Sequence, residues 1–200
     1  SKVLNFSTQK TMRLAQQLYE GVDVKGSGTI GIITYLRTDS TRISEEADYA
    51  ARTYIASEFG EEYLATAEKK DDSKNKIQDA HEAIRPTDIC RTPLSLKESL
   101  SRDQYRLYQL IWKRFAASRM QQAKYETISV KIQGGEYYFT VSASKLKFDG
   151  FMAVYTQEDD AKSENQFLMK SLDENTKLAF NSFQEQQHFT QPPAHYTEAT

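Results

Sequence analysis

Apolar and polar positions alternate along this chain with two different periods. Up to about residue 124 the apolar residues recur at three- and four-residue spacing, the mark of amphipathic helices. Ser7 is placed to cap a helix running to about Glu20, with Met12, Ala15, Leu18 and Tyr19 as its apolar face and Gly21 as its stop. Gly26 and Gly28 mark a turn, and the apolar run Ile30–Leu36 then predicts a buried strand. Ser44, followed by Glu45 and Glu46, opens a second helix through Ala47, Ala50, Ala51, Tyr54 and Ile55 to Gly60. Thr92-Pro93 predicts another helix start. Ser101 with Gln104 has the pattern of a capping box before the longest helix, to about Gln122. Its expected buried stripe is Tyr105, Tyr108, Ile111, Trp112 and Phe115.

Beyond Tyr125 the period becomes two. Ile128, Val130 and Ile132 alternate with polar residues, Gly134-Gly135 follows, and Tyr137, Phe139 and Val141 resume the alternation. That is a β-hairpin signature. A strand is expected over Phe151–Tyr155 and another around Leu178, Phe180 and Phe183, with Pro192-Pro193 ending the β segment. Residues 65–79 and 157–166 are polar and charged and read as surface loops. The pattern as a whole predicts an α+β chain, a helical part followed by an antiparallel β part.

Composition sharpens this division. The net charge of −2 does not advertise a nucleic-acid binder, but its distribution does more. Residues 1–124 hold 20 basic and 17 acidic side chains; residues 125–200 hold 6 and 11. All ten arginines lie in the first part, and arginine suits planar contact with phosphate. Arginine also has good helix propensity, so charge alone leaves both explanations open. No apolar run reaches membrane-spanning length. Cys90, the single cysteine, excludes an internal disulfide and a cysteine zinc site, and is expected to be a packed or half-buried thiol. These features fit the cytoplasm of a bacterium.

The chemistry centres on Ile33-Thr34-Tyr35-Leu36-Arg37-Thr38-Asp39-Ser40. On a strand, Tyr35, Arg37 and Asp39 would share one face, with Thr34 and Leu36 on the other. A phenol can attack phosphorus, and a guanidinium can grip two phosphate oxygens. With twelve tyrosines present, spacing alone favours an ordinary solvated face. The string itself changes that, because it closely resembles the active-site tyrosine motif of type IA DNA topoisomerases. His81-Glu82-Ala83-Ile84-Arg85-Pro86-Thr87 resembles the second hallmark of that family. The segment His188 to Ala199, with Pro192-Pro193 and Tyr196, resembles the return of the chain to the family's core domain. It departs at His195, where many members carry arginine.

The resemblance implies a domain map. Residues 1–124 are similar to the helical domain that carries the tyrosine. Residues 125–190 are similar to the second half of the β domain that forms the hinge of an arch. Residues 191–200 resemble the start of the following segment. The family's Toprim domain, whose acidic cluster binds Mg2+, has no counterpart here. The chain is therefore expected to be a fragment, with no metal of its own, unable to relax DNA alone.

The implied reaction is ATP-independent transesterification, consistent with the lack of a Walker loop. Tyr35 would attack a phosphodiester of single-stranded DNA, link to the 5′ phosphate and release a 3′ hydroxyl. Strand passage and religation would relax negatively supercoiled DNA. A free phenol, with a pKa of about 10, is a poor nucleophile at neutral pH. Arg37 is the candidate to stabilise charge on phosphate and phenolate, and His81 the candidate to donate to a phosphate oxygen. Tyr35, Arg37 and His81 form the expected catalytic set; Arg37, Thr38, Ser40, His81 and Arg85 form the expected DNA contacts. Glu82 does not complete an HExxH zinc motif, because the later residue is Arg85. The expected partner is single-stranded or negatively supercoiled DNA, with no membrane, and the expected state is a monomer. A tyrosine recombinase places its nucleophile after its arginines, which this order contradicts. A non-catalytic single-stranded DNA-binding module is the remaining alternative.

Overall fold

The computed structural model describes residues 3–66, 81–156, 176–182, 184–193 and 195. The polar stretches 65–79 and 157–166, and Phe183, lie wholly or largely outside these residues. The chain divides into two compact units: Ser1–Lys124 with Leu146–Glu158, and Tyr125–Lys145 with Asp159–Thr200.

The first unit is built on three helices: α1 (Thr8–Glu20), α2 (Glu45–Glu58) and α3 (Arg102–Ser118). Each begins at a serine whose hydroxyl accepts a backbone N–H three residues on: Ser7 from Lys10, Ser44 from Ala47 and Ser101 from Gln104. The capping box at Ser101 is complete, since the Gln104 side chain accepts from the Ser101 N–H at 2.9 Å. A short antiparallel pair follows α1, β1 (Val22–Val24) and β2 (Gly28–Ile30).

The core gathers Leu14, Ala15 and Leu18 of α1, Ala51 and Ile55 of α2, and Leu107, Tyr108, Trp112, Phe115 and Ala116 of α3 around Ile32 and Ile33. The face of α1 turns slightly from the expected one: Leu14 is inside and Met12 is 52% exposed. Two polar atoms of α3 tie down the loop that precedes it. The Trp112 indole N–H donates to the Ile89 carbonyl at 2.9 Å, and the Tyr108 hydroxyl donates to the Arg91 carbonyl at 2.6 Å. Burial raises the Tyr108 phenol far above its ordinary range, so it stays a neutral donor.

Three expected elements differ. Thr92 caps its turn through the Ser95 N–H, but residues 93–99 form successive i→i+3 turns instead of an α-helix. The strand expected at Phe151–Tyr155 is a 3₁₀ turn, Gly150–Ala153. Gly150 has φ +50°, and a Cβ there would meet the Gln121 carbonyl oxygen at 2.4 Å, so only glycine fits at the start of this turn. Leu178 and Phe180 lie in a segment without regular secondary structure, largely exposed and outside any strand ladder. Cys90 is exposed on a turn, although partial burial and Asp88 raise its thiol pKa.

The second unit contains most of the hairpin, β3 (Lys124–Gly134) paired with β4 (Tyr137–Phe148). Gly135, at φ +64°, occupies the first position of the two-residue loop, where a II′ turn needs a positive φ. Most hairpin side chains are exposed, Tyr137, Tyr138 and Phe139 among them. No described helix is long and apolar enough to cross a membrane.

Candidate active site

The site is made where two distant segments lie side by side. Residues 31–42 run beside residues 81–87, fastened by backbone bonds on both sides. Ile33 and Pro86 form an antiparallel bridge. The Thr87 N–H donates to the Ile32 carbonyl at 3.0 Å, the Thr34 N–H to the Arg85 carbonyl at 2.9 Å, and the Ala83 N–H to the Arg42 carbonyl at 2.8 Å. Thr34 adds a side-chain clasp. Its hydroxyl donates to the Ala83 carbonyl at 2.8 Å and accepts from the Arg85 N–H at 2.9 Å.

The expected strand Ile30–Leu36 is therefore not one continuous element. Ile32 and Ile33 are both buried, as the apolar run predicts, but the regular strand ends at Ile30 and only an isolated bridge at Ile33 follows. At Leu36 the Arg37 N–H bonds back to the Tyr35 carbonyl at 3.0 Å, a γ-turn that bends the chain just after the tyrosine. Tyr35, Arg37 and Asp39 nevertheless all reach solvent, and Thr34 and Leu36 are half-buried.

Gly31 is what lets this segment meet α1. The Ile32 N–H donates to the Leu18 carbonyl at 2.9 Å, close to the helix end. A Cβ on Gly31 would lie 2.4 Å from the Tyr19 carbonyl oxygen, so only glycine fits. The same approach brings the Tyr19 and Tyr35 rings edge to face at 5.4 Å.

Around the exposed Tyr35 ring, the His81 imidazole stacks at 6.3 Å between centroids. Arg37 Nη1 lies 3.0 Å from His81 Nε2. Asp39 stands 3.8 Å from both Arg37 Nη1 and His81 Nδ1. The same Nη1 lies 3.4 Å from His81 Nδ1, so the guanidinium sits close to both ring nitrogens. The three residues expected to be catalytic thus come together, with Asp39 shared between Arg37 and His81. Arg37 spends one of its amino groups on His81; its remaining donors can take a phosphate in two-pronged fashion.

Two of the expected DNA contacts have internal jobs instead. Ser40 is buried, and its hydroxyl donates to the His81 carbonyl at 2.8 Å while accepting the Arg42 N–H at 3.1 Å. The Arg85 side chain is 13% exposed. It donates to Glu82 Oε2 at 2.7 and 3.1 Å, to the Pro86 carbonyl at 3.0 Å and to the Ser44 hydroxyl at 3.4 Å. Ser40 through its short reach, and Arg85 through four side-chain hydrogen bonds, brace the site. Burial raises the Glu82 carboxyl, but the Arg85 hydrogen bonds and charge, with smaller help from Ser44 and Arg42, bring it net below its ordinary value. Thr38 remains exposed beside the cluster. The braces were hidden in the sequence because a buried arginine and a solvent arginine look alike until their partners are placed.

Residues 1–200 match the family model described as DNA topoisomerase. The chain belongs to the type IA DNA topoisomerase family. The full-length topoisomerase I of Thermotoga maritima is 44% identical and superposes with a TM-score of 0.67 over 78% of this chain. The chain spans 25% of the length of that topoisomerase. The α+β arrangement of helices and small antiparallel sheets matches part of the topoisomerase fold.

Among the described residues no group of three or more His, Cys, Asp or Glu side chains is placed to hold an ion. Asp39, the carboxylate of the cluster, is turned to Arg37 and His81.

Proposed function

We propose that this chain supplies the nucleophile of a DNA topoisomerase that relaxes negatively supercoiled DNA without ATP. Tyr35 attacks a phosphodiester of a single strand. The phenolic oxygen–phosphorus bond forms as the bond from phosphorus to the 3′ oxygen breaks. The phenolic proton leaves, and the departing 3′ oxygen takes one up. The product is a 5′-phosphotyrosine and a free 3′ hydroxyl, and religation runs the same exchange backwards. Arg37 and His81 hold the phosphate oxygens as charge builds on them, and Asp39 orients both.

The observation that carries this reading is the exposed Tyr35 ring against a His81 imidazole that lies 3.0 Å from Arg37. The 5′ specificity, the single-strand preference and the relaxation of supercoils rest on the family. So does the division of labour: 1–124 as the helical tyrosine domain, 125–190 as half of a β arch, 191–200 as the start of the next segment. Magnesium would be held by an acidic cluster in another part of the whole enzyme. The setting would be the bacterial cytoplasm, with the enzyme as a monomer at the nucleoid.

Trapping tests the reading directly. The full-length enzyme carrying this sequence, incubated with labelled single-stranded oligonucleotide and denatured, should show protein-linked DNA. Tyr35→Phe should abolish that band and keep noncovalent binding. A surviving adduct in Tyr35→Phe would refute the assignment. An adduct absent from the unmodified enzyme as well would favour a non-catalytic single-stranded DNA-binding module.

A further inference from the structure

Arg42 is the arginine that the site fixes in place and then leaves unspent. Its backbone is held at both ends, its N–H on the Ser40 hydroxyl at 3.1 Å and its carbonyl on the Ala83 N–H at 2.8 Å. The Ser40 hydroxyl that takes the Arg42 N–H also donates to the His81 carbonyl at 2.8 Å. One buried oxygen therefore sets the positions of Arg42 and His81 together. Yet the Arg42 side chain is exposed, and its charge acts on Glu82 without a hydrogen bond or ion pair between the two, so its donors are not taken up among the described residues. Other arginines of the same unit differ. Arg85 is consumed by Glu82 and Pro86, Arg52 donates to the Ala65 carbonyl, Arg91 pairs with Asp88, and Arg119 pairs with Asp48.

We propose that Arg42 binds a backbone phosphate of the DNA strand presented to Tyr35, next to the phosphate held by Arg37 and His81. This rests on the reading above that Tyr35 acts on single-stranded DNA. A planar guanidinium on a pinned backbone loses little freedom when it grips an anion. The N-terminus of α2, two residues on, does not compete for that phosphate. Its positive end is already answered by Glu45, Glu46 and Asp48. The contact must come from the side chain, and it replaces the one that Arg85 cannot make.

Salt titration of binding to a labelled single-stranded oligonucleotide tests this on the whole chain. Each phosphate neutralised contributes about 0.7 to the slope of log affinity against log salt. Arg42→Gln should weaken binding and make the slope shallower by about 0.7, with the fold unchanged by circular dichroism. Arg42→Lys should keep the slope. Arg102→Gln is the control for general charge, because Arg102 sits near the Lys10 end of α1, where Asp103 meets Lys10. That end is ~13 Å from Tyr19 along the helix. An Arg42→Gln slope equal to wild type, or an equal loss in Arg102→Gln, overturns the proposal while leaving the role of Tyr35 intact. If the unsubstituted chain shows no salt-dependent binding, single-strand recognition by this chain fails and the Arg42 contact fails with it.

Discussion

Replacing Thr34 with valine should loosen the site without touching any group that meets DNA. Valine keeps the shape and β-branching of threonine and removes only the hydroxyl. That hydroxyl makes two good bonds across the two segments, to the Ala83 carbonyl at 2.8 Å and from the Arg85 N–H at 2.9 Å. A typical hydrogen bond contributes ~0.5–1.5 kcal/mol net, and stranding a partly buried partner costs more. Thr34 is half-buried, so water can reach part of the gap. The expected loss is about 1–3 kcal/mol, or roughly 0.5–1.5 M in the urea midpoint for a typical m-value. Trp112 is the natural reporter. It is the single tryptophan, it is buried in the core of the same unit, and its indole N–H is fixed to Ile89. Thr34→Ser, which keeps the oxygen, should recover most of the loss. Equal midpoints for wild type and Thr34→Val would show that the backbone bonds alone hold the segments, and the clasp would have to be abandoned.

Three further outcomes are expected. Gly31→Ala should cost about 1–3 kcal/mol by driving a methyl into the Tyr19 carbonyl oxygen, and should slow DNA cleavage by the full-length enzyme; a fully active, equally stable variant would deny the close approach. The Glu82 carboxyl is held below its ordinary value, so its contribution to stability is complete above the ordinary carboxylate range and fades as pH falls through the lowered value. The stability gap between wild type and Glu82→Gln should therefore be largest near neutral pH and close on acidification, and a gap that widens in acid would reverse the sign. Arg37→Lys should slow single-turnover cleavage substantially while fold and noncovalent binding persist, because lysine keeps the charge and loses the planar fork; an unchanged rate would make Arg37 structural.

The helices were legible because their signals are local. Ser7, Ser44 and Ser101 each cap where the polarity pattern puts them, and α3 buries Tyr108, Trp112 and Phe115 as its spacing predicts. The hairpin was legible for the same reason, through its alternation and its glycine turn. The misread elements are those set by contacts distant in sequence. Gly150 and Phe151 turn because Gln121 is in the way and accepts the Phe151 N–H at 2.9 Å. Ile30–Leu36 reads as a strand from its apolarity, yet after β2 its partners are the Leu18 carbonyl, then residues 85–87. Burial of both Ile32 and Ile33 was legible in that apolar run; the identity of their backbone partners was not. At the site, the residue types were visible in the string, but the division between spent and unspent arginines was not.

That division follows from how the site is assembled. A nucleophile on a regular strand would have its neighbours' backbone groups committed to a ladder and its side chain held perpendicular to a sheet. Here the chain bends at Leu36 just after its bonds to Arg85, so Tyr35 stands at the break, exposed, with the Tyr19 and His81 rings beside it. Such a break is costly unless something else holds the segment. The 81–87 loop does so through Thr34, Ser40, Arg42 and Arg85, and α3 in turn holds that loop through Ile89 and Arg91. Rigidity thus passes from a helix core to a tyrosine outside it, and the buried polar groups are used up in passing it. Charge left over for a phosphate can come only from side chains that the brace does not need. Arg37, with donors to spare beyond its contact with His81, and Arg42, with all of its guanidinium donors, are the arginines of this segment that meet that condition.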